Sequence, residues 1–188
     1  MIFLANLSAC FCLMSVMVHI VPHTIDTGIS PTAAATILST IGGASIAGRF
    51  FIGSAIDRIG NRRSMILCFA LLILMLLWLQ FSKKLWMFYL FAVVYGFTHG
   101  GLFTVISPIV AEYFGIRSHG FLFGLVAFAG TVGGFIGPIF AGFIFDITRS
   151  YGIAFWGYLI VATIGLGLIV ALRPAYPQPE VIETIKER

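Results

Sequence analysis

Six runs of about twenty or more mostly apolar residues alternate with short polar stretches along this chain. The pattern predicts helical spans near 2–22, 31–56, 64–82, 85–107, 120–145 and 151–172. Together they make a six-helix transmembrane domain over 1–172, followed by a polar tail over 173–188. Pro22 and the turn at Asp26-Thr27-Gly28 end the first run, and His23 falls in the loop between them. Pro31 stands near the start of the second run, where its missing N–H costs little. Ser82-Lys83-Lys84 is a very short link, so the third and fourth helices must be antiparallel neighbours. Trp78 and Trp86 flank it, as aromatics at a membrane–water interface would. His119 reads as a residue of the next loop. The N-terminal run has no basic leader and no small-x-small cleavage site, so it reads as a helix rather than a signal peptide.

Composition removes the soluble alternatives. Apolar residues make up 60% of the chain and charged residues 10%, against about 25% charged in soluble domains. Such a chain cannot cover a water-facing surface, and in lipid its backbone must satisfy itself within helices. The net charge of +4 is therefore no sign of a nucleic-acid partner; its meaning lies in its placement. Arg58, Arg62, Arg63, Arg117, Arg173, Lys186 and Arg188 fall on one side of the six spans, and Lys83, Lys84 and Arg149 on the other. This bias sets the first group and both termini in the cytoplasm, in a plasma or inner membrane. Cys10, Cys12 and Cys68 lie inside apolar runs and read as small buried residues. There is no phosphate-binding glycine loop, metal-ligand cluster or nucleophile triad. No enzyme, no metal and no cofactor is expected.

The helices differ in polarity. Spans three and six are apolar all round except near their ends, which implies lipid contact. Spans one, two, four and five carry the Gly, His, Arg, Thr and Ser that imply contact with protein or a polar cavity. The fifth is dense in glycine, with small-xxx-small pairs at Gly120/Gly124, Gly130/Gly134 and Gly133/Gly137 that favour close helix packing. Gly48, Gly53 and Asp57 end the second span, and Gly137, Gly142 and Asp146 end the fifth at a constant offset of 89 residues. The two copies run in opposite directions through the membrane, which reads as two inverted three-helix repeats.

The stretch Gly53-Ser-Ala-Ile-Asp57-Arg58-Ile-Gly60-Asn-Arg62-Arg63 joins the second and third spans. It resembles the signature loop of the major facilitator superfamily: Gly, three residues, Asp, a basic residue, any residue, Gly, any residue, two basic residues. Within that superfamily the chain resembles the monocarboxylate transporter and oxalate/formate antiporter branch. The segments that carry this are His19-Ile-Val-Pro-His23, Asp26-Thr-Gly28, Gly48-Arg49-Phe-Phe-Ile-Gly53, Ala111-Glu112-Tyr-Phe-Gly115 and Gly137-Pro138 with Phe145-Asp146. The resemblance implies one six-helix half of a twelve-helix fold, the C-terminal half, with substrate bound between the halves. A first helix that starts at residue 1 without a polar leader agrees with an expected N-terminal six-helix half as partner. The resemblance also implies alternating-access transport of a small organic anion, with a co-transported proton or an exchanged anion. It further implies that Gly53, Asp57, Arg58, Gly60, Arg62 and Arg63 act as a gate latch. A non-transporting half or assembly subunit is the competing reading.

Arg49 is the one strongly charged residue deep inside a span. Eight residues before Asp57, it lies ~12 Å from the membrane edge, near the middle of a core ~30 Å thick. A buried guanidinium needs an anion or water. A carboxylate suits its fork bidentately, and an acid of a further half or water in a cavity would serve as well. The branch resemblance places an anion-binding arginine in this helix. It also places an Asp four residues earlier, where this chain has Ser45, so proton coupling through that pair does not carry over. The fifth span lacks the lysine of oxalate exchangers, which favours a monoanion. His99 lies at a depth similar to Arg49, and Tyr95 stands one turn away on the same face. His99 reads either as a proton-coupling group or as a structural histidine among Gly96, Gly100 and Gly101. His19, near the outer end of the first span, lines an entrance or sits at the interface.

The charge bias predicts labelling. A cysteine at Asn61 should react with a membrane-impermeant maleimide from the cytoplasmic side only, and one at Lys84 from the opposite side only. Reaction of both from one side would break the six-span arrangement.

Overall fold

The structure, a computed structural model, describes residues 1–173. Apart from Arg173, the expected polar tail lies outside the described residues. Six helices follow one another: α1 (Ile2–Asp26), α2 (Pro31–Ile59), α3 (Asn61–Phe81), α4 (Leu85–Phe114), α5 (His119–Thr148) and α6 (Gly152–Val170). Each is long and apolar enough to cross a membrane. Among the described residues there is no strand.

The helix ends follow local chemistry. Ser30 caps α2, its hydroxyl accepting the Ala33 N–H at 3.4 Å, and Pro31 takes the first helical position. Gly60, at φ 84°, serves at once as the end of α2 and the start of α3. Only glycine adopts that left-handed backbone without strain, so the signature loop is a single-residue hinge between two helices.

Two expected loops are helical instead. Helix α1 runs through Pro22 to Asp26, and α4 runs through Pro108 to Phe114. Proline is tolerated inside such helices because neighbouring groups compensate for its missing N–H. His23 therefore belongs to the last turn of α1, not to a loop. It packs edge-on against Phe88, Tyr151 and Phe155 at ring distances of 5.8, 5.6 and 4.9 Å. His119 likewise opens α5, where its Nε2 lies 3.3 Å from the Ser107 hydroxyl.

The helices pair in a pattern that obeys the inverted repeat. Helix α1 packs most extensively on α5, and α2 on α4. The first helix of each three-helix unit thus crosses the second helix of the other unit. Helices α3 and α6, the third of each unit, pack on one another, α3 also on α4 and α6 on α1. Both main crossings are backbone against backbone. A methyl group on Gly133 or Gly137 of α5 would run into the carbonyls of Leu7 and Phe11 on α1. One on Gly48 of α2 would meet the Phe97 carbonyl, and ones on Gly96 and Gly100 of α4 would meet the carbonyls of Ile41 and Ser45. Gly130 faces Asn6 and Gly134 faces Met14, so four glycines of α5 open one continuous face to α1. Gly48 and Gly137 are repeat equivalents, and each is the point where its helix touches its partner's backbone.

Phe69, Phe88, Phe91, Tyr95, Leu72 and Leu76 form the fully buried centre between α3, α4 and their neighbours. Helices α3 and α6 each bury one side and expose the other through residues such as Leu74, Phe81, Trp156 and Ile160. Helices α2 and α5 are the least covered by this chain. They expose Phe50 and Phe51, and Phe121, Phe128, Phe135 and Phe143. Glycine content on α2 and α5 thus marks one packed face rather than a helix enclosed all round.

Replacing Gly133 by Ala or Leu must push α1 and α5 apart, because backbone atoms cannot yield. Forced overpacking costs about 1–3 kcal/mol, so the melting midpoint of the detergent-solubilised protein should fall clearly. Gly124→Ala, with nothing within 4 Å of the added carbon, should leave it unchanged or raise it.

Candidate functional site

A cleft of about 590 Å³ opens between α1, α2 and α4. It is lined by Met17 of α1, by Ile41, Gly42, Ser45, Ile46, Arg49 and Phe50 of α2, and by His99 of α4. The α2 residues recur at helical spacing, with Gly42, Ser45, Ile46, Arg49 and Phe50 sharing one face over two turns. That periodicity was available in the sequence. The part α1 plays through Met17 was not, because only the crossing of α1 with α2 and α4 brings it there.

Arg49 is exposed to this cleft rather than packed into the protein. It sits ten residues before the end of α2 at Ile59, about 15 Å along the helix. The described carboxylates, Asp26, Asp57, Glu112 and Asp146, all stand in the last turn of their helices. None of them is at the level of Arg49. Ser45 lies one turn earlier on the same face, and its hydroxyl is 3.3 Å from His99 Nδ1. Arg49, Ser45 and His99 thus form a polar group on an otherwise apolar wall of Met17, Ile41, Ile46 and Phe50. His99 also packs against Phe103 at a ring distance of 5.1 Å.

The other two expected binding residues lie elsewhere. Tyr95 is fully buried, and its hydroxyl donates to the Leu13 carbonyl of α1 at 2.7 Å. Its ring stacks on Phe91 at 4.9 Å. The tyrosine shares a helix face with His99, but the α1 crossing closes over it and leaves His99 at the margin. His19 lies two residues past the cleft-lining Met17 on α1, and its ring turns toward α5 and the start of α6 instead. Its Nε2 lies 3.0 Å from the Pro138 carbonyl and its Nδ1 3.3 Å from the Tyr151 hydroxyl. A carbonyl only accepts, so Nε2 carries the proton and Nδ1 accepts from Tyr151. Both ring nitrogens of His19 are spent on joining α1 to α5 and to the start of α6.

A second cleft of about 560 Å³ lies between α1, α4 and α5. Phe103, Phe123, Phe135, Met14 and Ile106 make it largely apolar. Its one amide, Asn6, donates to the Val126 carbonyl at 2.8 Å. Among the described residues no cluster of side chains suits a metal ion.

At the arginine-rich end the signature residues divide. Asp57, Arg58, Gly60 and Arg63 are exposed, and Gly53 is half-buried. Arg62 is half-buried and bonded to the end of α6, donating through Nε to the Ile169 carbonyl at 3.3 Å and through Nη2 to the Val170 carbonyl at 2.6 Å. Asn61 donates to Glu112 Oε2 at 2.7 Å.

This architecture agrees with comparison to known proteins. The sequence profile of the Major Facilitator Superfamily matches residues 2–187. The chain belongs to that superfamily, as a six-helix unit built of two inverted three-helix repeats. It is similar to human "Monocarboxylate transporter 7", with 28% identity over 160 residues that cover 83% of this chain and 31% of that protein. It is similar to mouse "Monocarboxylate transporter 12", with 30% identity over 159 residues, 81% of this chain and 33% of that protein. Rat "Monocarboxylate transporter 13" is 30% identical over 159 residues, 82% of this chain and 37% of that protein. The chain thus spans about a third of the length of these relatives.

The placement of Tyr95 has a measurable consequence. Tyr95→Phe removes one buried hydrogen bond, worth about 0.5–1.5 kcal/mol. It should lower the melting midpoint of the detergent-solubilised protein.

Proposed function

We propose that this chain supplies one six-helix body of a secondary transporter for small organic monoanions, working by alternating access. The observation that carries the reading is Arg49: a permanent cation at mid-helix, facing an open cleft, with every described carboxylate at a helix end. An arginine held in lipid without a counter-charge costs ~2.5–3.5 kcal/mol on insertion scales. A bound carboxylate removes that cost and matches the guanidinium fork. The similarity to proteins named monocarboxylate transporters supports the same ligand class. Ser45 and His99 stand beside the bound anion as hydrogen-bonding groups, and Met17, Ile46 and Phe50 face its apolar part.

In this reading a second six-helix body faces the uncovered sides of α2 and α5, and the cleft closes against it. The similar proteins are about three times as long as the matched region, which leaves room for such a body. Asp57 and the exposed Arg58 and Arg63 are the signature residues free to bridge the two bodies at the gate. The end carrying Arg58, Arg62 and Arg63 faces the cytoplasm, following the charge bias. The anion moves together with a proton or in exchange for a second anion, and transport rather than catalysis is the activity.

The test is uptake of radiolabelled monocarboxylates into vesicles containing the complete transporter, normalised to the amount in the membrane. Arg49→Gln should abolish saturable uptake, since a hydrogen bond to a charged group contributes roughly 1.5–3 kcal/mol, one to two orders of magnitude in affinity. Arg49→Lys should retain weaker uptake, because the charge persists without the fork. Uptake by Arg49→Gln equal to the unmodified protein would remove the anion-binding role.

A further inference from the structure

The loop between α2 and α3 places charge of the wrong sign at both helix ends it joins. Asp57 stands in the last turn of α2, where the helix dipole is negative. Arg62 and Arg63 stand in the first turn of α3, where the dipole is positive and no acidic residue offsets them. Arg63 reaches solvent or headgroups. Arg62 is half-buried and turns onto the C-terminal end of α6.

There it meets a complementary defect. The last carbonyls of any helix lack intrahelical partners and carry its negative dipole end. In α6 these include Val170 and Ile169, the latter also accepting the Leu172 N–H at 3.3 Å, and the Arg62 guanidinium donates to both, at 2.6 and 3.3 Å. No basic residue of α6 itself lies in its last turn to do this. The cation misplaced on α3 is thus the cation missing from α6. Two further bonds close the same corner. Asn61, at the start of α3, donates to Glu112 near the end of α4 at 2.7 Å, and the Tyr113 hydroxyl donates to the Arg173 carbonyl just past α6 at 2.8 Å. At the far end of the same helix pair, Gln80 of α3 donates to the Gly152 carbonyl at the start of α6 at 3.2 Å.

We propose that Arg62 is an internal clasp that caps α6 and welds the two inverted repeats at this end, so that it is unavailable to the moving contacts of the signature loop. The basic pair then has two separate jobs. Arg62 keeps α3, α4 and α6 together as one rigid corner, while Arg63, with Arg58 and Asp57, remains exposed. Helices α3 and α6 move as a unit, because their contact is tied at both ends by side chains to backbone carbonyls.

The test uses the full chain in nanodiscs and reads hydrogen–deuterium exchange at the last turn of α6, beside the thermal midpoint. Arg62→Gln should speed exchange there roughly tenfold or more, given the strength of a hydrogen bond to a charged donor, and should lower the midpoint. Arg62→Lys, with a point charge in place of the fork, should lie between Arg62→Gln and the unmodified chain. Arg58→Gln and Arg63→Gln should match the unmodified chain. If Arg62→Gln does not accumulate, Arg62→Lys against Arg63→Lys carries the comparison, with faster exchange expected only in the first. Unchanged exchange in the Arg62 variants, or an equal effect from the Arg63 variants, would overturn the clasp.

Discussion

Apolar side chains gain little by leaving lipid for a protein interior, so helices in a membrane are held by how closely their backbones approach. That constraint decides the architecture of this chain. At the α1–α5 and α2–α4 crossings, glycines on one helix sit directly against carbonyls of the other. Any side chain at Gly48, Gly96, Gly100, Gly133 or Gly137 would separate the pairs. Around these two contacts α3 and α6 pack on α4 and α1, and both clefts lie beside them.

Because the two crossings are related by the inverted repeat, the cleft with Arg49 is not an isolated pocket cut into one helix. The Ser45 carbonyl makes the close contact with Gly100, and its hydroxyl lies 3.3 Å from His99 Nδ1. Arg49 follows one turn later, next to the Gly48–Phe97 contact but on the helix face that looks into the cleft. The tight packing that excludes a side chain at Gly100 thus positions the polar group beside it. A lipid-exposed arginine would be costly, and a cleft beside a close helix crossing is where a helix can keep one.

Charges near the membrane edge obey the same economy of helix ends. Arg62 stands on the wrong end of its own helix and on the right end of another. His19 spends both nitrogens on neighbouring segments, and Tyr95 spends its hydroxyl on the α1 backbone. Other buried polar atoms, among them the Tyr158 hydroxyl and His23 Nε2, have no hydrogen-bond partner among the described residues. Arg49 is set apart by carrying a permanent charge on the wall of an open cleft.

The sequence by itself determined the helix count, the repeat and the family. Apolar runs of membrane length, the offset of 89 residues and the Gly53–Arg63 signature are all local or periodic properties. It also singled out Arg49, because one charge in a long apolar run stands out without any knowledge of neighbours. It did not separate Tyr95 from His99. One turn apart on α4, they are equivalent in periodicity, and only the position of α1 buries the first and leaves the second at the cleft. Nor did it separate Arg62 from Arg63, adjacent residues of one type in one motif. Which of them reaches the end of α6 depends on how α3 is rotated about its axis, and side-chain direction turns by about 100° between successive residues of a helix. His23 and the residues after Pro108 were misplaced for a related reason. A proline commonly ends a helix in water, whereas in a membrane bundle neighbouring helices and side chains can satisfy the backbone group it frees, and α1 and α4 run on through theirs.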